Sequence, residues 1–111
     1  MSSEKDQQLE YEIQNKGLLA PRIKPADVDS QIMDIRYHRV EGTTTTLCSL
    51  ILINGFVVNG ESACASLENF DAELGRKIAF ENARDKIWSL LGYHLREKLY
   101  QESLKWVYNQ I

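Results

Sequence analysis

The sequence predicts an α+β fold: a small antiparallel sheet, made of a hairpin plus one further strand, packed on a long amphipathic helix, with short helices at the N- and C-terminal ends. Two observations carry that prediction. The run from Thr43 to Ile53 is rich in β-branched and aliphatic residues and ends at Asn54-Gly55, the strongest short-range hairpin signal. Beyond it, apolar residues recur four apart, first Phe70, Leu74 and Ile78, then Ala79, Ala83, Ile87 and Leu91, a stripe that lets a helix lie on a sheet.

Taken in order, residues 1–24 are polar with scattered apolar positions (Leu9, Ile13, Leu18, Leu19, Ile23), and Gly17 and Pro21 keep any helix short. They read as an arm, and residues 25–111 as a single α+β domain, since 111 residues suffice for one core without disulfide or metal staples. Lys24-Pro25-Ala26-Asp27 has the form of a helix start, with proline at the first position and Asp27 and Asp29 near the positive end. This predicts a short helix from Pro25 to about Met33, with Val28 and Ile32 inward. Ile35 to Val40 then reads as a strand, Arg36 and His38 on one face and Tyr37 and Arg39 on the other.

The hairpin is expected from Thr44 to about Ala63. With a two-residue turn at Asn54-Gly55, Cys64 faces Thr45 and Cys48 faces Glu61, so the two thiols point to opposite sides and do not pair. The same register puts Leu47, Ile51, Ile53, Phe56 and Val58 on one face and Cys48, Leu50, Leu52 and Val57 on the other. Both faces are then apolar and both need a cover. The long helix supplies one; the N-terminal helix or a second copy of the chain supplies the other, which predicts a homo-oligomer.

Ser66 stands where an N-cap belongs, so the long helix is expected from Ser66 to Leu91, with Gly92 ending or bending it. Tyr93 to Ile111 reads as a further helix, whose Trp106 and Tyr108 suit either a subunit contact or packing on the chain's own core.

Bulk properties narrow the function. A net charge of -3 and a pI near 5.4 argue against holding duplex nucleic acid by phosphate neutralisation. Leu47 to Ile53, interrupted by Ser49, is far short of the roughly 20 apolar residues that cross a bilayer. The polar, acidic start MSSEKDQQLEYE lacks the form of a secretory signal, so the expected location is the cytoplasm.

No residue set completes a metal or catalytic constellation. His38, His94, Cys48 and Cys64 lack structural-zinc spacing, and Cys64, His38 and Asp71 form a nucleophile group only on paper. The expectation is a protein with no cofactor, no metal and no enzymatic reaction. Binding is the better prospect. Arg76 and Lys77, early in the long helix, add positive charge to the helix N-terminus and would welcome a phosphate or carboxylate, with Arg84 nearby. Equally, Arg76 and Lys77 have Asp71, Glu73 and Glu81 in reach as helical ion-pair partners. Asn69 and Asn82 offer paired donor and acceptor groups for a base edge, although Asn82 could instead bond the hairpin backbone. Phe56 could stack on a base, the alternative being an ordinary core aromatic.

One long pattern carries more. Asn54-Gly55-Phe56, Gly60-Glu61-Ser62-Ala63-Cys64, Asn69-Phe70-Asp71, Glu73, Gly75-Arg76-Lys77, Ala79, Asn82-Ala83, Lys86, Trp88 and Gly92-Tyr93, with the upstream YEIQNKGLLAPRIKPADVDSQI, resemble a family of small tailed-phage and prophage proteins. It is the family named for gene product forty-nine of coliphage N-four and gene sixty-six of Shigella phage Sf-six. The chain departs from it at Leu67, where the family has a proline, and at Leu91, where it has an acidic residue. The resemblance implies a phage origin and expression in the host cytoplasm, and no particular reaction.

Two functions are therefore expected to compete. One is a non-enzymatic module that captures a small anionic ligand, such as a nucleotide of host anti-phage signalling, through Asn69, Arg76, Lys77, Arg84, Asn82 and Phe56. The other is an interaction protein that binds or inhibits a host protein through its helices.

Overall fold

The computed structural model describes residues 3–18 and 20–110; Leu19 of the expected arm and Ile111 of the expected last helix lie outside the described residues. The fold is α+β. Its elements, in order, are α1 (Glu4–Asn15), α2 (Pro25–Ser30), β1 (Ile32–Arg39), β2 (Thr46–Leu52), β3 (Val57–Ser62), a single 3-10 turn at Leu67–Asn69, and α3 (Ala72–Asn109). By internal contacts the chain forms two compact units, Ser30–Ile87 and Met1–Asp29 with Trp88–Ile111.

In the first unit the strands form an antiparallel meander in the order β1-β2-β3. Alternate residues of β2, Thr46, Cys48, Leu50 and Leu52, are buried. They are joined in the core by Val58 from β3 and by Ala79, Ala83 and Ile87 from α3. Small residues set the approach of helix to sheet. A Cβ on Gly60 would lie 2.2 Å from the Ala83 backbone nitrogen and 2.4 Å from the Ala79 carbonyl oxygen, so only glycine allows β3 to touch the α3 backbone.

The hairpin register differs from expectation by one residue. Cys48 pairs with Gly60, Leu50 with Val58 and Ile51 with Val57. The cause is the turn: the Leu52 N–H donates to Phe56 O at 2.8 Å and the Gly55 N–H to Leu52 O at 2.9 Å, so Ile53-Asn54-Gly55 form a three-residue loop. Gly55 sits at φ 88°, the left-handed residue that such loops use to close. A one-residue slip exchanges the faces of the whole strand. Val58 is therefore buried and Val57 exposed, the reverse of the expected assignment. Cys64 also falls on the same alternation as Cys48, not the opposite one. The two thiols are nevertheless free, Cys48 pairing with Gly60 inside the sheet and Cys64 lying beyond the end of β3.

The second sheet face is apolar only in part. Rows Asp34-Ile51-Val57, Arg36-Ser49-Asn59 and His38-Leu47-Glu61 share it, so polar residues flank Leu47 on both sides and Ile51 on one. The two-faced apolar hairpin that predicted an oligomer is thereby reduced on this face to Leu47 and Ile51 of β2 with Val57 of β3.

In β1 the alternation is as expected: Tyr37 and Arg39 share the face of Cys48 and Thr46, while Arg36 and His38 face the other way. The strand starts earlier, at Ile32, and α2 stops at Ser30 instead of Met33. Sheet pairing explains this. Ile32 pairs with Leu52, and the Ile53 N–H donates to Gln31 O at 2.9 Å, ladder bonds that a longer α2 would forfeit.

In the other unit, Ser3 caps α1 by accepting from the Asp6 N–H at 3.1 Å, and Gly17 at φ 67° follows the helix. No described α1 residue is buried. An ion pair ties it down, with Arg22 Nη2 donating to Glu10 Oε2 at 3.0 Å. That pair holds the Glu10 carboxyl below its ordinary value. Pro25 and Val28 of α2 are buried, as expected for Val28.

The separate C-terminal helix does not exist. α3 runs unbroken through Gly92, whose position is open enough that an added Cβ would meet nothing within 4 Å. A single glycine costs a helix only about 1 kcal/mol, too little to end one this long. The start also differs. Ser66 accepts from the Glu68 N–H at 3.3 Å and caps only the 3-10 turn, while Asp71 Oδ1 accepts from the Leu74 N–H at 2.9 Å and caps α3.

Candidate functional site

The site with the most structure around it is a notch where the loop after β3 enters α3. Three hydrogen bonds shape its floor. Ser62 Oγ donates to the Gly75 carbonyl at 2.6 Å, binding the first turn of the helix to the sheet. Thr44 Oγ1 donates to the Cys64 carbonyl, and the Cys64 thiol donates to the Ser66 carbonyl at 3.1 Å, fixing the loop. Gly75 keeps the helix close, because a Cβ there would stand 3.0 Å from Thr46 Oγ1.

The result is a cavity of about 90 Å³ lined by Thr44, Ser62, Ala63, Cys64, Asn69, Phe70, Asp71, Leu74, Gly75 and Ile78. Its rim is apolar. Leu74 and Ile78, expected as part of the buried stripe, are 54% and 44% exposed, and neighbouring Leu67 is 60% exposed. The stripe is buried only from Ala79 onward, because the sheet edge ends at Ser62 and nothing in this unit continues it under Leu74. Beside the rim the Arg39 guanidinium lies 3.8 Å over the Phe70 ring. Its Nε and Nη2 both donate to the Thr43 carbonyl, at 3.2 and 3.1 Å, so the cation is held flat against the ring.

Size decides what the notch can hold. Sites for drug-sized ligands run from about 300 Å³ upward, and a cavity of about 150 Å³ takes benzene. The notch admits one side chain, not an enclosed nucleotide. Asp71 adds negative charge, and its carboxylate already accepts from the Leu74 N–H, one of the donors that the helix start would offer an anion. A wider groove of about 420 Å³ along α1 contains none of the predicted site residues.

The predicted residues do not gather. Asn69 lines the notch. Arg76 and Lys77 are exposed on α3. Arg76 lies toward β1: burial raises the Tyr37 phenol above its ordinary value, with Cys48 adding to this, and the Arg76 charge opposes it. Arg84 is 1% exposed, with partners inside the fold, and cannot meet a ligand from solvent. Asn82 Nδ2 donates to the Glu61 carbonyl at 2.8 Å, the structural one of its two readings. Phe56 is exposed at the hairpin tip, at the far end of β3 from the notch, about 20 Å away at the rise of a strand.

Sequence reasoning missed Arg39 as a partner of Phe70, a contact between residues far apart in the chain that no local pattern signals. It read Phe70, Leu74 and Ile78 as core because the four-residue spacing does not say where the sheet beneath them stops. Among the described residues no group of three or more His, Cys, Asp or Glu could hold a metal ion, and no helix is long and apolar enough to cross a membrane.

Comparison with known proteins gives a family match. The model of the Phage protein (N4 Gp49/phage Sf6 gene 66) family matches residues 23–99. No curated protein and no solved structure matches the chain.

Proposed function

The chain belongs to the Phage protein (N4 Gp49/phage Sf6 gene 66) family, and from that premise we propose that it is a phage accessory protein that acts in the host cytoplasm by binding a host protein, without catalysis. The carrying observation is the notch: a single-side-chain cavity with an exposed apolar rim of Leu74 and Ile78 and a held cation at Arg39. Protein interfaces concentrate their energy in this kind of feature, an anchor side chain desolvated in a small pocket and surrounded by contacts that exclude water. Asn69 and Asp71 add polar groups to the lining.

The test is retention of a host protein by tagged chain from infected cells. Leu74→Glu and Ile78→Glu, both at exposed positions, are expected to abolish retention while leaving the melting temperature within about 2 °C, as surface changes do. Phe56→Ala, at the far end of the sheet, is expected to leave retention unchanged. Retention that survives both notch variants removes the reading.

Capture of a signalling nucleotide is the second reading, favoured by one observation: the exposed Arg39 guanidinium, already stacked on Phe70 beside Asn69, presents its outer face for a base to stack on at the notch mouth. A panel of cyclic and linear nucleotides should then raise the melting temperature, and Arg39→Ala should cancel the rise. No shift across the panel rules this second reading out.

A further inference from the structure

The second half of α3 carries an outer stripe that is separate from the notch and independent of the function proposed for it. Leu90, Tyr93, Glu97, Tyr100, Leu104 and Val107 follow one another at alternating spacings of three and four, and Tyr108 borders the same arc. Leu91, Leu95 and Leu99, on the other side of the helix, are half-buried, whereas the stripe is open. Tyr93 is 74%, Tyr100 47%, Leu104 44%, Val107 53% and Tyr108 79% exposed.

We propose that this stripe is a homodimer interface, in which α3 of one copy packs antiparallel on α3 of a second copy and the two cross near Tyr100. Three arguments select a second copy as the occupant. The three-four alternation is the seam of a two-helix coil, which is self-complementary and closes about a twofold axis, so one surface serves both partners. The area is also sufficient. With aromatic side chains carrying about 150–250 Å² each, the exposed part of the stripe offers about 600 Å² per copy, and the stems of Arg96, Gln101 and Lys105 bring it near the roughly 800 Å² per partner of a stable interface.

Charge fixes the direction. Glu97 is the one charged residue within the stripe, and its carboxylate accepts from Gln101 Nε2 at 2.9 Å. A parallel pair in register would set two Glu97 carboxylates against each other, which opposes pairing. An antiparallel pair crossing near Tyr100 sets Glu97 across from Leu104 with Lys105 alongside, and Tyr93 across from Tyr108. The twofold then gives the dimer two Glu97–Lys105 contacts, one on each side of the crossing.

Sedimentation equilibrium of the full chain tests the interface. The expected mass is twice 12.8 kDa. Leu104→Glu is expected to weaken dimerisation at least about tenfold, since it buries an unpaired charge, with circular dichroism confirming an unchanged helix content. A wild-type chain that stays monomeric at about 100 µM, or a Leu104→Glu chain that dimerises as well as wild type, overturns the proposal. Direction is read by oxidation of single-cysteine additions at these exposed positions. Tyr100→Cys should form a covalent dimer and Tyr93→Cys should not; equal cross-linking of both overturns the antiparallel arrangement.

Discussion

Gly60 and Gly92 are both achiral links in the same fold, yet their surroundings assign them opposite costs of substitution. At Gly60 a methyl group would collide with backbone atoms of Ala79 and Ala83, which cannot rotate away. Gly60→Ala is expected to destabilise the protein by at least about 3 kcal/mol, the upper end of overpacking, or to prevent folding; urea melts measure it. At Gly92 the same methyl meets open space in a helix interior, and Gly92→Ala should stabilise by about 0.5–1 kcal/mol in the same assay. Asn82 shows what the sequence could say at this scale. A helical asparagine bordering the core needed a partner, and the hairpin backbone was one of two candidates; its bond to the Glu61 carbonyl settles which. Arg84 shows what it could not, because an arginine one position beyond the stripe reads as surface until the packed fold places it at 1% exposure.

At the level of elements, the hairpin was legible in its existence and wrong in its register. Asn54-Gly55 signals a turn without saying whether two or three residues make the loop, and that one residue decides which valine is buried. The consequence can be measured through the thiols. Cys48 is fully buried and burial raises its thiol above the ordinary value, whereas Cys64 is partly exposed at the notch. A thiol reagent on native protein should therefore modify Cys64 quickly and Cys48 only on unfolding. The sign of the pH effect follows. With the folded value above the unfolded one near 9.0, Cys48 stays neutral in the fold while the unfolded chain loses its proton first, so stability is intact below pH 9 and falls as pH rises above it. Tyr37, also raised by burial from 10.0, extends the same loss upward. Urea melts across pH 8 to 11 check the direction; a rise in stability over that range contradicts the buried thiol.

For the molecule as a whole, fold class was readable because the hairpin signal and the helical stripe are both local in sequence. The site was not, because the notch depends on boundaries that no local pattern states: β3 ends at Ser62, the loop runs to Asp71, the burial of the helix stripe begins only at Ala79, and Thr44 joins the lining from before β2. The predicted set of Asn69, Arg76, Lys77, Arg84, Asn82 and Phe56 shared residue chemistry, not location, and only Asn69 stands at the notch. The surface open to a second copy is likewise not the hairpin's outer face but the stripe on α3. The central claim is that this phage protein acts by binding a protein partner at the notch. Native mass spectrometry of tagged chain recovered from infected cells tests it most directly. The account predicts a complex whose added mass is a host polypeptide and which disappears in Leu74→Glu. A spectrum in which the chain carries a nucleotide-sized mass and no second polypeptide would contradict it.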